Sequence, residues 1–300
     1  MGGESSRLIF DEATLRKLNT LSLVARQVRS GAFKGERRSS KRGSSIEFAD
    51  YRDYVSGDDL RRVDWNVYAR LDRPYIKLLE DEEDLAVHIL LDASNSMDWG
   101  QGDEHKFTYA RRLAAGLGSM ALSTGDRLKI EVLVASGMAN SYGPARGGHH
   151  LMKALSFLES LETSGSTDIN ASLHNFSLAR QRPGLVVLIS DLFSPNGYES
   201  GVSALQSRGH EVVLIHVLAQ DELDPHLAGD LQLIDVETGA KQEISLDNNL
   251  RRKYSQRVTA WQDDIQAYCR SRGVHYLPLS TAHPWERFLL YDLRAAGVVQ

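Results

Sequence analysis

Cysteine is almost missing from this chain. Cys269 stands alone, so no internal disulfide can form, and that usage fits a reducing compartment. Long apolar runs are missing too, since none approaches the roughly 20 residues that span a bilayer. The opening MGGESSRLIF has neither the basic start nor the apolar stretch of a secretory leader. A net charge of −5 gives no global pull toward nucleic acid or an anionic membrane. No GxxxxGK(S/T) phosphate loop is present, because GAFKGERRSS lacks the second Gly-Lys pairing, and no GxSxG elbow surrounds Ser94 or Ser190. These absences predict a cytoplasmic, soluble chain with no membrane span.

What is there is an ordinary globular composition, 42% hydrophobic and 25% charged, over 300 residues. The first 84 residues differ from the rest. Leu15, Leu18, Leu21, Val24 and Val28 recur at helical spacing behind Asp11, which predicts one amphipathic helix over 11–28. Residues 29–45 are rich in Gly, Ser and Arg. Across 16–42 nine basic residues face only Glu36, a local net of +8. A solvated linker is the plainer reading of that stretch, and phosphate contact with nucleic acid is the sharper one. The segment 46–84 mixes aromatics with alternating charge and predicts turns and short strands ending near PYIKLLE.

From residue 85 the pattern alternates. Apolar runs suited to buried parallel strands fall at 85–92, 128–135, 185–191, 211–218 and 274–280. Helical stretches lie between them at 104–123, 149–161, 168–180, 198–208 and 248–272. GMANSY (137–142) predicts an edge strand, and 231–246 a hairpin inserted after the 211–218 strand. The expected fold class is α/β, with a doubly wound, mostly parallel sheet over 85–300 and an N-terminal helix, basic linker and aromatic-rich arm over 1–84.

Open sheets of this kind bind ligands beyond the carboxyl ends of their strands. Three segments converge there: Asp92-x-Ser94-x-Ser96, the loop GSTDIN with Thr167, and Asp191 after the 185–190 run. Two carboxylates and three hydroxyls suit a hard cation such as Mg²⁺, with Mn²⁺ or Ca²⁺ as substitutes, and not zinc. Asp98 reads as a solvent-facing or helix-entry residue. His210, His216 and His275 read as core-edge histidines, His149 and His150 as surface ones, and Cys269 as a packed small apolar group.

The set Asp92, Ser94, Ser96, Thr167 and Asp191 resembles the metal-ion-dependent adhesion site of a von Willebrand factor type A domain. The resemblance implies a metal that takes an acidic residue of a partner. Upstream, Glu47-Phe48, Arg52-x-Tyr54, Gly57-Asp58-Asp59, Arg61, Asp64-Trp65 and Ala69-Arg70 resemble the bacterial domain-of-unknown-function 58 family. So do the insert DVETG (235–239) and the helix after Trp285. That resemblance covers nearly the whole chain from about residue 20. It implies a non-enzymatic adaptor or co-chaperone, the partner being a MoxR-type AAA+ ATPase or its client.

Within the arm, Asp58, Asp59 and Asp64 are expected to cap turns and pair with Arg61, Arg62 or Arg70, while Trp65 anchors the arm. Partner binding through these residues is the alternative. Two other functions compete. A Mg²⁺-dependent phosphatase also places an Asp at a strand end, but it needs an acid where Ser94 stands. It also needs a lysine, and Lys153 and Lys241 are not convincingly placed. Nucleic-acid binding through the basic linker is the third.

Overall fold

The computed structural model describes residues 12–25, 46–55, 58, 63–81, 84–134, 137–179, 181–225, 229–234, 241–246 and 248–300. The described residues form two compact units: residues 46–84 make one, and the described residues before 33 and after 84 make the other. One boundary falls after residue 84, and the described N-terminal residues 12–25 belong with the larger unit.

In the larger unit, α1 (Glu12–Leu18) opens the chain. The helix predicted over 11–28 stops there. At Asn19-Thr20 the backbone turns, and Leu21 and Leu23 are then buried at alternate positions. Leu23 makes an antiparallel bridge with Val299, and Ser22 exchanges backbone bonds with Gln300. Leucines at 18, 21 and 23 fit a helix followed by an extended stretch as well as they fit one helix, and pairing with the C-terminus decides it.

The smaller unit holds β1 (Ile46–Asp53), α2 (Trp65–Leu71) and β2 (Tyr75–Asp81). β1 and β2 pair antiparallel.

The remaining elements follow the predicted alternation. They are β3 (Ala86–Asp92), α3 (Lys106–Ser123), β4 (Arg127–Val134), β5 (Gly137–Arg146), α4 (Leu151–Glu159), α5 (Ile169–Leu178), β6 (Leu185–Ser190), α6 (Glu199–Ser207), β7 (Glu211–Leu218), α7 (Gln220–Leu223), β8 (Gly229–Ile234), β9 (Lys241–Leu246), α8 (Asn248–Arg272) and β10 (His275–Ser280). Consecutive helical turns over 285–295 end the chain. Six strands form one sheet in the order β10-β7-β6-β3-β4-β5, all parallel except β5, which runs antiparallel to β4 at the edge. β8 and β9 make the predicted hairpin; its Glu-Thr-Gly turn lies outside the described residues.

β3, β6 and β7 are buried on both faces, as continuous apolar runs require when helices cover a parallel sheet on both sides. One face packs α1, α3, α4 and the C-terminal turns, with Leu18, Leu113, Leu117, Leu158 and Leu289 at its centre. The other packs α5, α6 and α8 through Leu173, Phe176, Val202, Ile265 and Cys269, the last fully buried as a small apolar group should be. The chain leaves β3 through α3 for β4 on one side and reaches β6 on the other. β3 is thus the point where strand order reverses, and a crevice opens beyond its carboxyl end. No helix among the described residues is long and apolar enough to cross a membrane.

Candidate metal centre at the strand switch point

Asp92 ends β3, and Ser94 and Ser96 follow in the turn that leads to α3. Ser94 is buried, and its amide donates to Asp92 Oδ1 at 3.0 Å. The Ser94 and Ser96 hydroxyl oxygens are 3.0 Å apart. Thr167 stands just before α5. That helix starts where it does because the Asp168 carboxylate accepts from the Ala171 amide at 2.9 Å. Thr167 Oγ1 donates to Asp92 Oδ1 at 3.1 Å, and the loop bearing it is laced to the β3 turn by Asn95 N to Gly165 O (2.7 Å) and Ser164 N to Ala93 O (2.7 Å). The other Asp92 oxygen accepts from Ser190 Oγ at 2.6 Å. Asp191 follows β6, fully buried. The five expected residues therefore converge.

The sequence reading missed four further groups. Lys106, the first residue of α3, is 0% exposed. Its Nζ donates to Asp191 Oδ2 at 2.8 Å and to Glu222 Oε1 at 2.7 Å. Glu222 reaches in from α7, beyond the carboxyl end of β7, and its second oxygen accepts from the Ala219 amide at 2.8 Å. His216, fully buried on β7, lies 3.0 Å by Nε2 from the Asp191 carbonyl and 2.8 Å by Nδ1 from the Tyr276 hydroxyl. A proton on Nε2 satisfies both contacts, and burial pushes this imidazole down to about 4, so it stays neutral. Ser190 is the fourth. One signal for Lys106 was visible: counting back a turn from Ala110, Leu113 and Leu117 puts a charge on the apolar stripe of α3. Lys106 is a lysine at this crevice that the sequence reading did not weigh beside Lys153 and Lys241.

Burial, followed by the nearby Asp191 charge, raises the Asp92 pKa against the bonds from Ser190 and Ser94. Burial raises Glu222 as well, against the pull of Lys106. Of these three carboxylates, Asp191 and Glu222 share the Lys106 ammonium. No cluster of three or more His, Cys, Asp or Glu that could hold a metal occurs among the described residues. Any ion here would be held by two carboxylates and by hydroxyls, a hard-cation donor set. The Ser94 and Ser96 hydroxyls, hydrogen-bonded to each other at 3.0 Å, put two such neutral oxygens side by side next to the Asp92 carboxylate. The residues present therefore fit such an ion. Asp98 is exposed, meets His105 at 3.0 Å and takes no part.

In the smaller unit Asp64 caps α2, accepting from the Asn66 and Val67 amides at 2.9 and 3.2 Å. Asp58 pairs with Arg52, not with the arginines expected. Its two oxygens take the two guanidinium nitrogens at 2.6 and 2.7 Å, and the Val55 amide adds 2.9 Å. The Arg52 hydrogen bond holds this carboxyl at about 2. The Tyr54 amide donates to Pro74 O at 3.0 Å. Trp65 is 58% exposed and meets Tyr68 edge-on, so it does no anchoring inside its own unit. Arg70 lies exposed in the last turn of α2. Asp59, Arg61, Arg62 and the basic stretch 29–42 lie outside the described residues.

A family model described as "Protein of unknown function DUF58" matches residues 50–264, well over half the chain. The chain belongs to the DUF58 family. Among its relatives are uncharacterized proteins of Mycobacterium bovis and Mycobacterium tuberculosis, each 29% identical over 281 residues that cover 92% of this chain and 88% of theirs. Among solved structures, BatB from Bacteroides thetaiotaomicron superposes with a TM-score of 0.42 at 15% identity, covering 71% of this DUF58 chain and 98% of its own. An aerotolerance-related membrane protein from Bacteroides fragilis gives 0.42 at 16% identity, with 70% and 99% covered.

Proposed function

We propose that the larger unit is a von Willebrand factor type A-like, non-enzymatic docking module in the cytoplasm. In this reading Asp92, Ser94, Ser96, Thr167 and Asp191 hold a Mg²⁺ ion, with Mn²⁺ or Ca²⁺ as substitutes. Bound there, the ion supplies an open coordination position for an acidic side chain of a partner. By family resemblance that partner is a MoxR-type AAA+ ATPase or its client. One observation carries the reading: five oxygen-bearing side chains from three separate segments meet at the strand switch point, with the Ser94 and Ser96 hydroxyls 3.0 Å apart. Electrostatics favour an anionic partner. Lys106 already offsets one of the carboxylates, so a divalent ion on Asp92 and Asp191 stays under-neutralised and attracts a further carboxylate.

A phosphatase is the weaker reading despite Lys106. Both of that ammonium's hydrogen bonds go to carboxylates inside the protein, and Ser94 stands where the general acid is needed.

The test is thermal melting and calorimetry of the full chain. Mg²⁺ is expected to raise the melting temperature, and Asp92→Ala and Ser94→Ala to erase that rise. A wild-type chain indifferent to Mg²⁺ would sink the proposal, as would phosphatase turnover lost in Asp92→Ala.

A further inference from the structure

Beside the candidate metal centre, at the carboxyl ends of β6 and β7, lies a pocket of about 420 Å³ that nothing above uses. One wall is a single face of α8, where Tyr254, Arg257, Val258 and Trp261 recur at helical spacing. Phe193, 42% exposed, adds to this wall with its ring stacked on Trp261 at 5.3 Å and 9°. Leu218 and Glu222 complete the lining.

The pocket and the candidate centre share a wall. The Phe193 amide donates to Asp191 Oδ1 at 3.1 Å, and Lys106 Nζ lies 5.3 Å from the Phe193 ring centre. Glu222 presents no free charge to the pocket, because Lys106 and the Ala219 amide take its two oxygens and the Tyr254 hydroxyl takes its carbonyl at 2.7 Å. Arg257, exposed, has no ion-pair partner among the described residues. The lining is therefore mostly apolar, with a cation at its edge that meets no carboxylate among the described residues. Its volume accommodates a large side chain.

We infer that this pocket is the second half of the docking site and takes a bulky apolar side chain of an acidic partner segment. Arg257 pairs with an acidic side chain flanking that apolar one, while the partner's key carboxylate goes to the strand ends. The inference rests on the docking reading above and narrows it: the recognised element is an acidic residue with a bulky apolar neighbour on an extended stretch. Exposed aromatic rings that end in a charged rim are what hot-spot pockets for such anchors look like.

The probe is an array of short peptides with a fixed central Glu or Asp and every residue type scanned at the flanking positions. The full chain is applied in Mg²⁺ and in EDTA, and the best peptide is then titrated by fluorescence polarisation. Leu, Met, Phe or Trp is expected to be selected on at least one flank. Phe193→Ser and Val258→Glu, both at accessible positions, should weaken that peptide by about tenfold or more while keeping the Mg²⁺ melting shift. Arg257→Glu should weaken it as well. Selection of acids with no apolar preference, or a preference untouched by both pocket variants, would overturn the inference. So would capture of a free aromatic carboxylate, or of a second copy of the chain, in place of peptide. The two readings fail separately. If EDTA and Asp92→Ala leave peptide binding intact but Phe193→Ser abolishes it, the pocket stands and the metal reading falls.

Discussion

Lys106 is a fully buried cation at the strand ends that the sequence reading missed. A fully buried ammonium is tolerated only when it is paired on several sides, and Asp191 and Glu222 supply that pairing. Removing it leaves the buried Asp191 and the partly buried Glu222 without their cation, and losing one partner of a buried pair such as Lys106–Asp191 costs about 3–5 kcal/mol. The same loss makes the crevice more negative and so a stronger cation site. Lys106→Met is therefore expected to melt lower than wild type in EDTA and to gain more from Mg²⁺ than wild type does. Equal Mg²⁺ shifts in both proteins would show that the ammonium and the ion do not share a field. Asp92, Ser94, Ser96, Thr167 and Asp191 were legible because hydroxyls and carboxylates at alternate positions after an apolar run have few other uses. The Lys106–Glu222 pair was not, because pairing across 116 positions is set by the fold: the apolar stripe of α3 marks Lys106 as out of place but names no partner, and Glu222 alone reads as an ordinary surface charge.

At the scale of elements, close approach between the amino ends of β3 and β6 sets how tightly those two strands pair. Gly184 precedes β6, and a Cβ built there would run into the Ala86 carbonyl at the start of β3, a backbone atom that cannot step aside. Gly184→Ala is expected to destabilise by about 1–3 kcal/mol, the usual cost of overpacking, and to displace β6 against β3. An unchanged denaturation midpoint would contradict that. The parallel strands were read from the sequence to within a residue or two, since buried runs such as Glu211–Leu218 admit no other length. α8 and the β8–β9 hairpin were legible for a similar reason: sustained periodicity over 25 residues in one, alternation about a turn in the other. The helix over 11–28 failed because leucines at 18, 21 and 23 serve two periods at once, and only the C-terminal Val298–Gln300 stretch, far away in sequence, selects the extended one. The same remoteness hid the arm's pairing, where Arg52 proved to be the partner of Asp58.

For the larger unit as a whole, three histidines set the response to acid. His88, His210 and His216 are buried, and desolvation takes each from an ordinary value down to about 4. His88 and His210 meet edge-on at 5.4 Å against Phe176, under the second helical layer. The unfolded chain takes up protons at these rings from about 6.5 downward, whereas the folded chain refuses them until about 4. Stability contributed by the neutral rings is thus complete above the unfolded value and is lost as pH falls through that window, at up to about 1.4 kcal/mol per unit for each ring. Asp92 and Glu222 act in the opposite sense, because their folded pKa values are raised, and acid relieves the cost of burying their charge. Three rings act together between about pH 7 and pH 5, so denaturant unfolding in EDTA should show stability falling by several kcal/mol over that range. His88→Gln, which cannot take the proton, should flatten the slope by about one ring's share even if it unfolds at lower denaturant. A stability that rises toward pH 5 would mean that the crevice carboxylates outweigh the histidine layer, and a slope unchanged in His88→Gln would mean that this ring is already charged when folded.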